Sequence, residues 1–107
     1  MYTYRVKVVR VIDGDTLVAD VDLGFKIWLY GIRFRLARVN APELGTPAGE
    51  RAKDAMRGRA IATVSCTGLD KWGRWLGEMY AHDGSSVNDA MVKDGFATHV
   101  SYGGESQ

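Results

Sequence analysis

The chemistry-bearing residues of this chain fall in three short runs. In Arg35-Leu-Ala-Arg-Val-Asn-Ala-Pro-Glu43, a guanidinium, a side-chain amide and a carboxylate arrive at the end of one predicted strand. Asp13-Gly14-Asp15-Thr16 puts carboxylates at a turn between two further strands. Asp70-Lys71-Trp72-Gly73-Arg74 adds two cations and an aromatic ring in a loop. The planar fork of an arginine binds two phosphate oxygens at once. Hard cations take oxygen ligands, which Asp15 at the head of a strand supplies. An exposed indole such as Trp72 offers a stacking surface to a base. Together these are the parts of metal-assisted phosphodiester hydrolysis: cations for the developing charge, a base for water, oxygens for a metal.

Each run also has a plain structural reading. Asp13–Thr16 reads as a hairpin turn, Asn40–Glu43 as a strand ended by proline, and Asp70–Arg74 as a charged loop. An EF-hand is excluded, because the spacing of a third acidic residue and the terminal glutamate are missing. Cys66 reads as a small core residue, and His82 and His99 make no metal or catalytic pattern.

The elements that must position these groups follow from periodicity. Tyr4–Ile12 and Thr16–Asp22 alternate as strands around Asp13-Gly14-Asp15, where glycine is expected to supply φ freedom. A long third strand is expected over about 26–39, with Trp28, Tyr30, Ile32, Phe34 and Leu36 on one face and bends at Gly24 and Gly31. Thr46-Pro47 is a helix start, and the helix is expected to run to about Ala62 with a narrow, small-residue stripe of Ala52, Ala55, Met56 and Ala60. Strands over 63–67 and 74–81 follow. A second helix is capped by Ser86 and closed by Gly95. Three strands, a helix, two strands and a helix make an α+β chain, mainly β: a five-stranded OB-fold Greek-key barrel with two helices.

Length and composition bound the reading. The 107 residues suit one domain, 1–107, with a frayed tail from about 103. The net charge of +1 is too small for a protein that coats nucleic acid. Yet residues 1–38 carry seven Lys/Arg against four Asp, and the remainder seven against nine acidic residues. No run approaches a membrane span, and the first residues contain no apolar core of a signal peptide. With a single cysteine, a cytoplasmic origin and a monomer are the defaults, and a longer, secreted precursor stays open.

Ile12-Asp-Gly-Asp-Thr16, Phe34-Arg-Leu-Ala-Arg-Val-Asn-Ala-Pro-Glu43, Asp70-Lys-Trp-Gly-Arg74 and Val87-Asn-Asp-Ala-Met-Val-Lys-Asp-Gly95, in this order, resemble the staphylococcal nuclease (thermonuclease) family. The resemblance implies calcium-dependent, sugar-nonspecific hydrolysis of DNA and RNA, single-stranded or melted, at the P–O5′ bond with 3′-phosphate products. It makes Asp15 a calcium ligand, with Ala41 ligating through its carbonyl. It sets Arg35 and Arg74 on the scissile phosphate, Glu43 on the attacking water, and Lys71 and Trp72 on the far phosphate. Asn40 stands where the family has Asp, which implies weaker calcium binding. Trp72 replaces a tyrosine and Ala41 a threonine. The hairpin around Leu23–Trp28 is longer than the family's. The chain stops before the family's last helix, leaving Tyr102 near its groove tyrosines. Two alternatives are a catalytically weak or inactive nucleic-acid-binding OB-fold module, and a protein-interaction module with an apolar patch at Phe25, Trp28 and Tyr30.

Overall fold

A computed structural model describes residues 2–100; the expectations for Tyr102 and the 103–107 tail lie outside them. The elements are β1 (Thr3–Asp13), β2 (Thr16–Asp22), β3 (Trp28–Leu36), β4 (Val39–Asn40), α1 (Pro47–Arg57), β5 (Ile61–Leu69), β6 (Trp75–Ala81), α2 (Val87–Lys93) and β7 (Thr98–His99). Five strands close into a barrel in the order β1-β2-β3-β6-β5, and β4 and β7 form a separate two-stranded ribbon. All barrel pairs are antiparallel except β3 with β6. This is the expected OB-fold-like barrel with two helices.

Side-chain alternation fills the barrel. Leu17, Ala19 and Val21 of β2, Phe34 and Leu36 of β3, Val64 of β5 and Met79 of β6 are buried. Met56 of α1 and Met91 of α2 are buried in the same cluster. The spacing Val6, Val8, Val11 breaks a period of two, and a register shift between Val8 and Arg10 explains it. The extra residue keeps both Val8 and Val11 on the inner side and Arg10 on the outer.

The expected long third strand is in fact two. It stops at Leu36, turns through Ala37-Arg38 with Arg38 at φ 68°, and resumes as β4. The left-handed region is costly for a residue with a Cβ, so tertiary contacts must hold the turn. They come from α2 and β6. Asn88, fully buried, donates to the carbonyls of Ala37 (2.9 Å) and Gly77 (3.0 Å) and accepts from the Met79 N–H (2.9 Å). The Arg38 guanidinium pairs with Glu78 (2.5 Å) and Asp89 (2.9 Å). Asn88→Ala leaves the Ala37 carbonyl and the Met79 N–H without partners, takes one of two donors from the Gly77 carbonyl, which keeps the Ala37 N–H, and is expected to cost about 3 kcal/mol. Chemical denaturation checks this: the midpoint should fall at constant slope.

Helix α1 ends at Arg57, capped by Gly58, rather than near Ala62, and β5 begins at Ile61. The β-branched residues after Gly58 favour the strand. Its cap is as expected: the Thr46 hydroxyl accepts from Gly49 N–H (3.0 Å), with Pro47 at the first helical position. In α2, Ser86 caps Asp89 N–H (3.1 Å), but the Asp89 carboxylate turns to Arg38 instead of completing a reciprocal box. Gly95 follows at φ 84°.

On β3, only Ile32, Phe34 and Leu36 follow the expected inner face. A bulge at Tyr30-Gly31, with Gly31 at φ 69° and its N–H on Asp20 (2.8 Å), breaks the alternation. Beyond it the β2–β3 hairpin carries exposed Phe25 (97%), Tyr30 (73%) and, less so, Trp28 (37%). Cys66 is half-buried on β5, and burial pushes its thiol up. No helix among the described residues is long and apolar enough to cross a membrane.

Candidate active site

Three loops converge on one open groove of about 740 Å³. The β1–β2 turn contributes Asp13 and Asp15, and the end of β3 with β4 contributes Arg35, Asn40, Ala41 and Glu43. The β5–β6 loop contributes Asp70, Lys71, Trp72 and Arg74. The register explains the convergence. Thr16 pairs with Arg35, which pairs in parallel with Leu76, so the DGD turn and the Arg74 loop flank Arg35. Backbone and side chain then stitch the loops together: Leu36 N–H donates to the Asp15 carbonyl (2.8 Å), and Ala41 N–H to the Asp15 carboxylate (2.8 Å).

Close packing keeps the turn there. A Cβ on Gly14 would lie 2.6 Å from the Cβ of Ala52 and 2.8 Å from that of Ala41. Gly14 does not have a positive φ. Glycine is needed at this position because α1 and the Ala41 segment come so near, not for the expected φ freedom. The small residue Ala52 on α1 serves the same approach. The start of α1 fixes Glu43 in turn. Its carbonyl accepts from the Thr46 hydroxyl (2.7 Å), and any methyl at Gly49 would overlap that carbonyl.

Arg35 is held on four sides. It donates to the carbonyls of Leu36 (3.0 Å) and Val39 (2.7 Å) and to Asn40 Oδ1 (3.0 Å), and it lies 3.5 Å from the Asp15 carboxylate. Its side chain is 13% exposed. Arg74 Nε donates to Asp70 (2.6 Å), and Asp70 also accepts from Trp72 and Arg74 N–H groups (2.9 Å each). These hydrogen bonds hold the Asp70 carboxyl below its usual range against the opposing effect of burial. The Trp72 ring has Lys71 Nζ at 4.6 Å and the Arg74 guanidinium carbon at 5.3 Å.

The four carboxylates differ. Burial, with the neighbouring Asp13 carboxyl, raises Asp15 to about 6; the Ala41 N–H and Arg35 oppose that rise. Burial also acts on Asp13, but its bonds to Asp15 and Thr16, with Arg35, outweigh it and hold Asp13 low. Asp13 accepts from Asp15 N–H, and Asp15 from Thr16 and Ala41. Asp70 is committed to Arg74. Among the described residues, Glu43 alone in the groove has a carboxylate with no donor on it.

The oxygens gathered here suit a hard cation: two carboxylates, one of them pushed up by burial, and the Asn40 amide oxygen. No nitrogen or sulfur ligand joins them, and among the described residues no group of three or more His, Cys, Asp or Glu forms a metal cluster.

The structure therefore brings together every expected site residue within 2–100: Asp15, Arg35, Asn40, Ala41, Glu43, Lys71, Trp72 and Arg74. Sequence reasoning passed over Asp13, read only as a turn residue, although the paired acids of Asp-Gly-Asp pointed to it. It also missed Asn88, whose position on a short helix carries no signal of burial.

The structure is thus a closed β-barrel with two guanidinium groups beside clustered oxygen donors. The chain belongs to the staphylococcal nuclease-like family: the family model described as "Staphylococcal nuclease homologue" matches residues 33–107. The chain is 38% identical over 96 residues to an "Uncharacterized endonuclease" of Escherichia coli O157:H7, covering 85% of this chain and 58% of that protein. To a "Micrococcal nuclease" of Shigella flexneri it is 34% identical over 113 residues, 95% of this chain and 62% of the relative. "Protein ParB" of Escherichia coli is 36% identical over 104 residues, 87% and 55% of the two chains. The chain thus spans little more than half the length of these relatives.

Proposed function

We propose that this protein is a calcium-dependent, sugar-nonspecific nuclease that hydrolyses phosphodiester bonds of single-stranded or melted DNA and RNA. The P–O5′ bond is the one cut, leaving 3′-phosphates. The observation that carries the reading is the convergence of Arg35, Arg74, Asp15 and the uncommitted Glu43 on one open groove. The names of the relatives favour the same chemistry.

The scissile phosphate sits between Arg35 and Arg74. Arg35 keeps Nε–H and part of Nη2 for it after its bonds to the β3–β4 turn, and Arg74 keeps its two terminal nitrogens after its bond to Asp70. Glu43 takes the proton of the attacking water, and Lys71 and Trp72 hold the neighbouring nucleotide. Asp15, Asn40 and the Ala41 carbonyl would hold calcium, which supplies Lewis-acid neutralisation of a non-bridging phosphate oxygen. The test is digestion of single-stranded DNA with millimolar calcium, with and without EDTA, and analysis of product ends. Expected are 3′-phosphate ends and complete loss of digestion with EDTA; intact DNA in calcium overturns the reading.

Asn40 sets the metal affinity. Its Oδ1 already receives a hydrogen bond from Arg35. Asn40→Asp adds a charge among the oxygens and is expected to lower the calcium needed for half-maximal activity by about tenfold. A calcium titration of both proteins reads this, and identical curves would count against a metal role for position 40.

A further inference from the structure

The outer face of β1–β2–β3 carries cations that the groove does not use. Register and alternation set them in rows: Arg5 beside Asp22 and Trp28, Lys7 beside Asp20, and Arg10 beside Val18 and Arg33. Arg33 stands two residues before Arg35 on the same face of β3, so this face runs directly into the groove. Val18 lies on the outer side yet is only 6% exposed, as expected where two long arginine stems flank it. The acidic residues of the face are partly committed. Asp22 pairs with Arg5 (3.0 Å) and accepts from Gly24 N–H (2.8 Å), and Asp20 accepts from Gly31 N–H (2.8 Å). Lys7, Arg10 and Arg33 are exposed, and among the described residues none has an ion-pair partner.

We infer that this face is an extended track for the polynucleotide backbone, with Arg33 and Arg10 binding phosphates beyond the one in the groove. The inference rests on the nuclease reading for its ligand. Its grounds are the unpaired positive charge, the continuity with Arg35 and the excess of Lys/Arg in residues 1–38. An extended strand leaving the groove along β3 meets Arg33 first, and one crossing the sheet from there passes over Val18 of β2 to Arg10 of β1 at the same level. At the far end Trp28 borders a second groove with Arg5 and His82 and offers an aromatic face to a base.

The experiment compares the wild type with the Arg10→Gln/Arg33→Gln double variant, and with Arg10→Lys/Arg33→Lys, which keeps both charges. Binding of a fluorescein-labelled 30-nucleotide oligo-dT is followed by anisotropy in calcium-free buffer over a salt series. Two lost phosphate contacts make the slope of log K against log salt about 1.4 shallower in the Gln variant, and the Lys variant restores it. The ratio of kcat/KM on the 30-mer to that on a dinucleotide is expected to fall several-fold in the Gln variant. Unchanged slope and unchanged length preference in a folded Gln variant overturn the track. A wild type that cleaves neither substrate but shows the slope difference leaves the track standing and removes the nuclease reading.

Discussion

Glu43→Gln is expected to lower kcat on single-stranded DNA by roughly 100- to 10,000-fold, the range for losing a general base. The groove offers four carboxylates, and three are already engaged. Asp13 receives the Asp15 N–H, Asp15 receives Thr16 and Ala41, and Asp70 receives three donors from its own loop. A base needs lone pairs free to face solvent and substrate, and among the described residues Glu43 is the groove carboxylate with no donor on either oxygen. Glutamine keeps the shape and cannot take the proton. The side chain is exposed and has no protein partner among the described residues, so thermal stability should stay within about 0.5 kcal/mol of wild type. KM should change little, because in the proposed mechanism Glu43 acts on the attacking water and not on the phosphate. Single-turnover kinetics with calcium measures the step directly. A kcat within a few-fold of wild type would remove Glu43 from the reaction.

The precision of that site comes from devices of unequal visibility in the sequence. The Thr46-Pro47 helix start was plain from residue types, and it is what fixes the Glu43 backbone. The strands were plain wherever one face is buried, because alternation must then be kept. The turn at Ala37-Arg38 was not visible. Nothing local marks a left-handed arginine: the turn is imposed by Asn88 and Glu78, about 40 to 50 residues away in sequence. Without that turn Asn40 and Ala41 would continue a straight strand away from Asp15. Gly14 is a different case. The residue was noticed and given the wrong reason, since a glycine read alone does not tell a turn conformation from the need for space against a helix. The alternation on β3 misled beyond Ile32 because a bulge leaves the same residue pattern as a regular strand until its partner is known.

Arg35→Ala is expected to cost about a thousandfold in kcat/KM, the scale of removing a guanidinium from a phosphoryl transition state. Two functions are lost together. In the proposed mechanism the phosphate loses one of its two forks, and the β3–β4 turn loses its internal brace, since the same guanidinium holds the Leu36 and Val39 carbonyls. The Asp15 carboxylate also loses the positive neighbour 3.5 Å away that now opposes its burial. Stability should fall by about 1–3 kcal/mol from the unpartnered carbonyls. Arg35→Lys separates these roles. A single ammonium restores charge near Asp15 but cannot reach two carbonyls, Asn40 and a phosphate at once. It should recover most of the thermal stability and little of the rate, staying within about tenfold of the alanine variant. Arg74→Lys is the internal comparison, because Arg74 braces only its own loop through Asp70 and carries no part of the β3–β4 turn. Its loss should appear in rate alone. Melting temperature and kcat/KM for the three variants decide the matter: an Arg35→Lys enzyme near wild-type rate would mean that charge, and not the fork held across turn and phosphate, is what the groove requires.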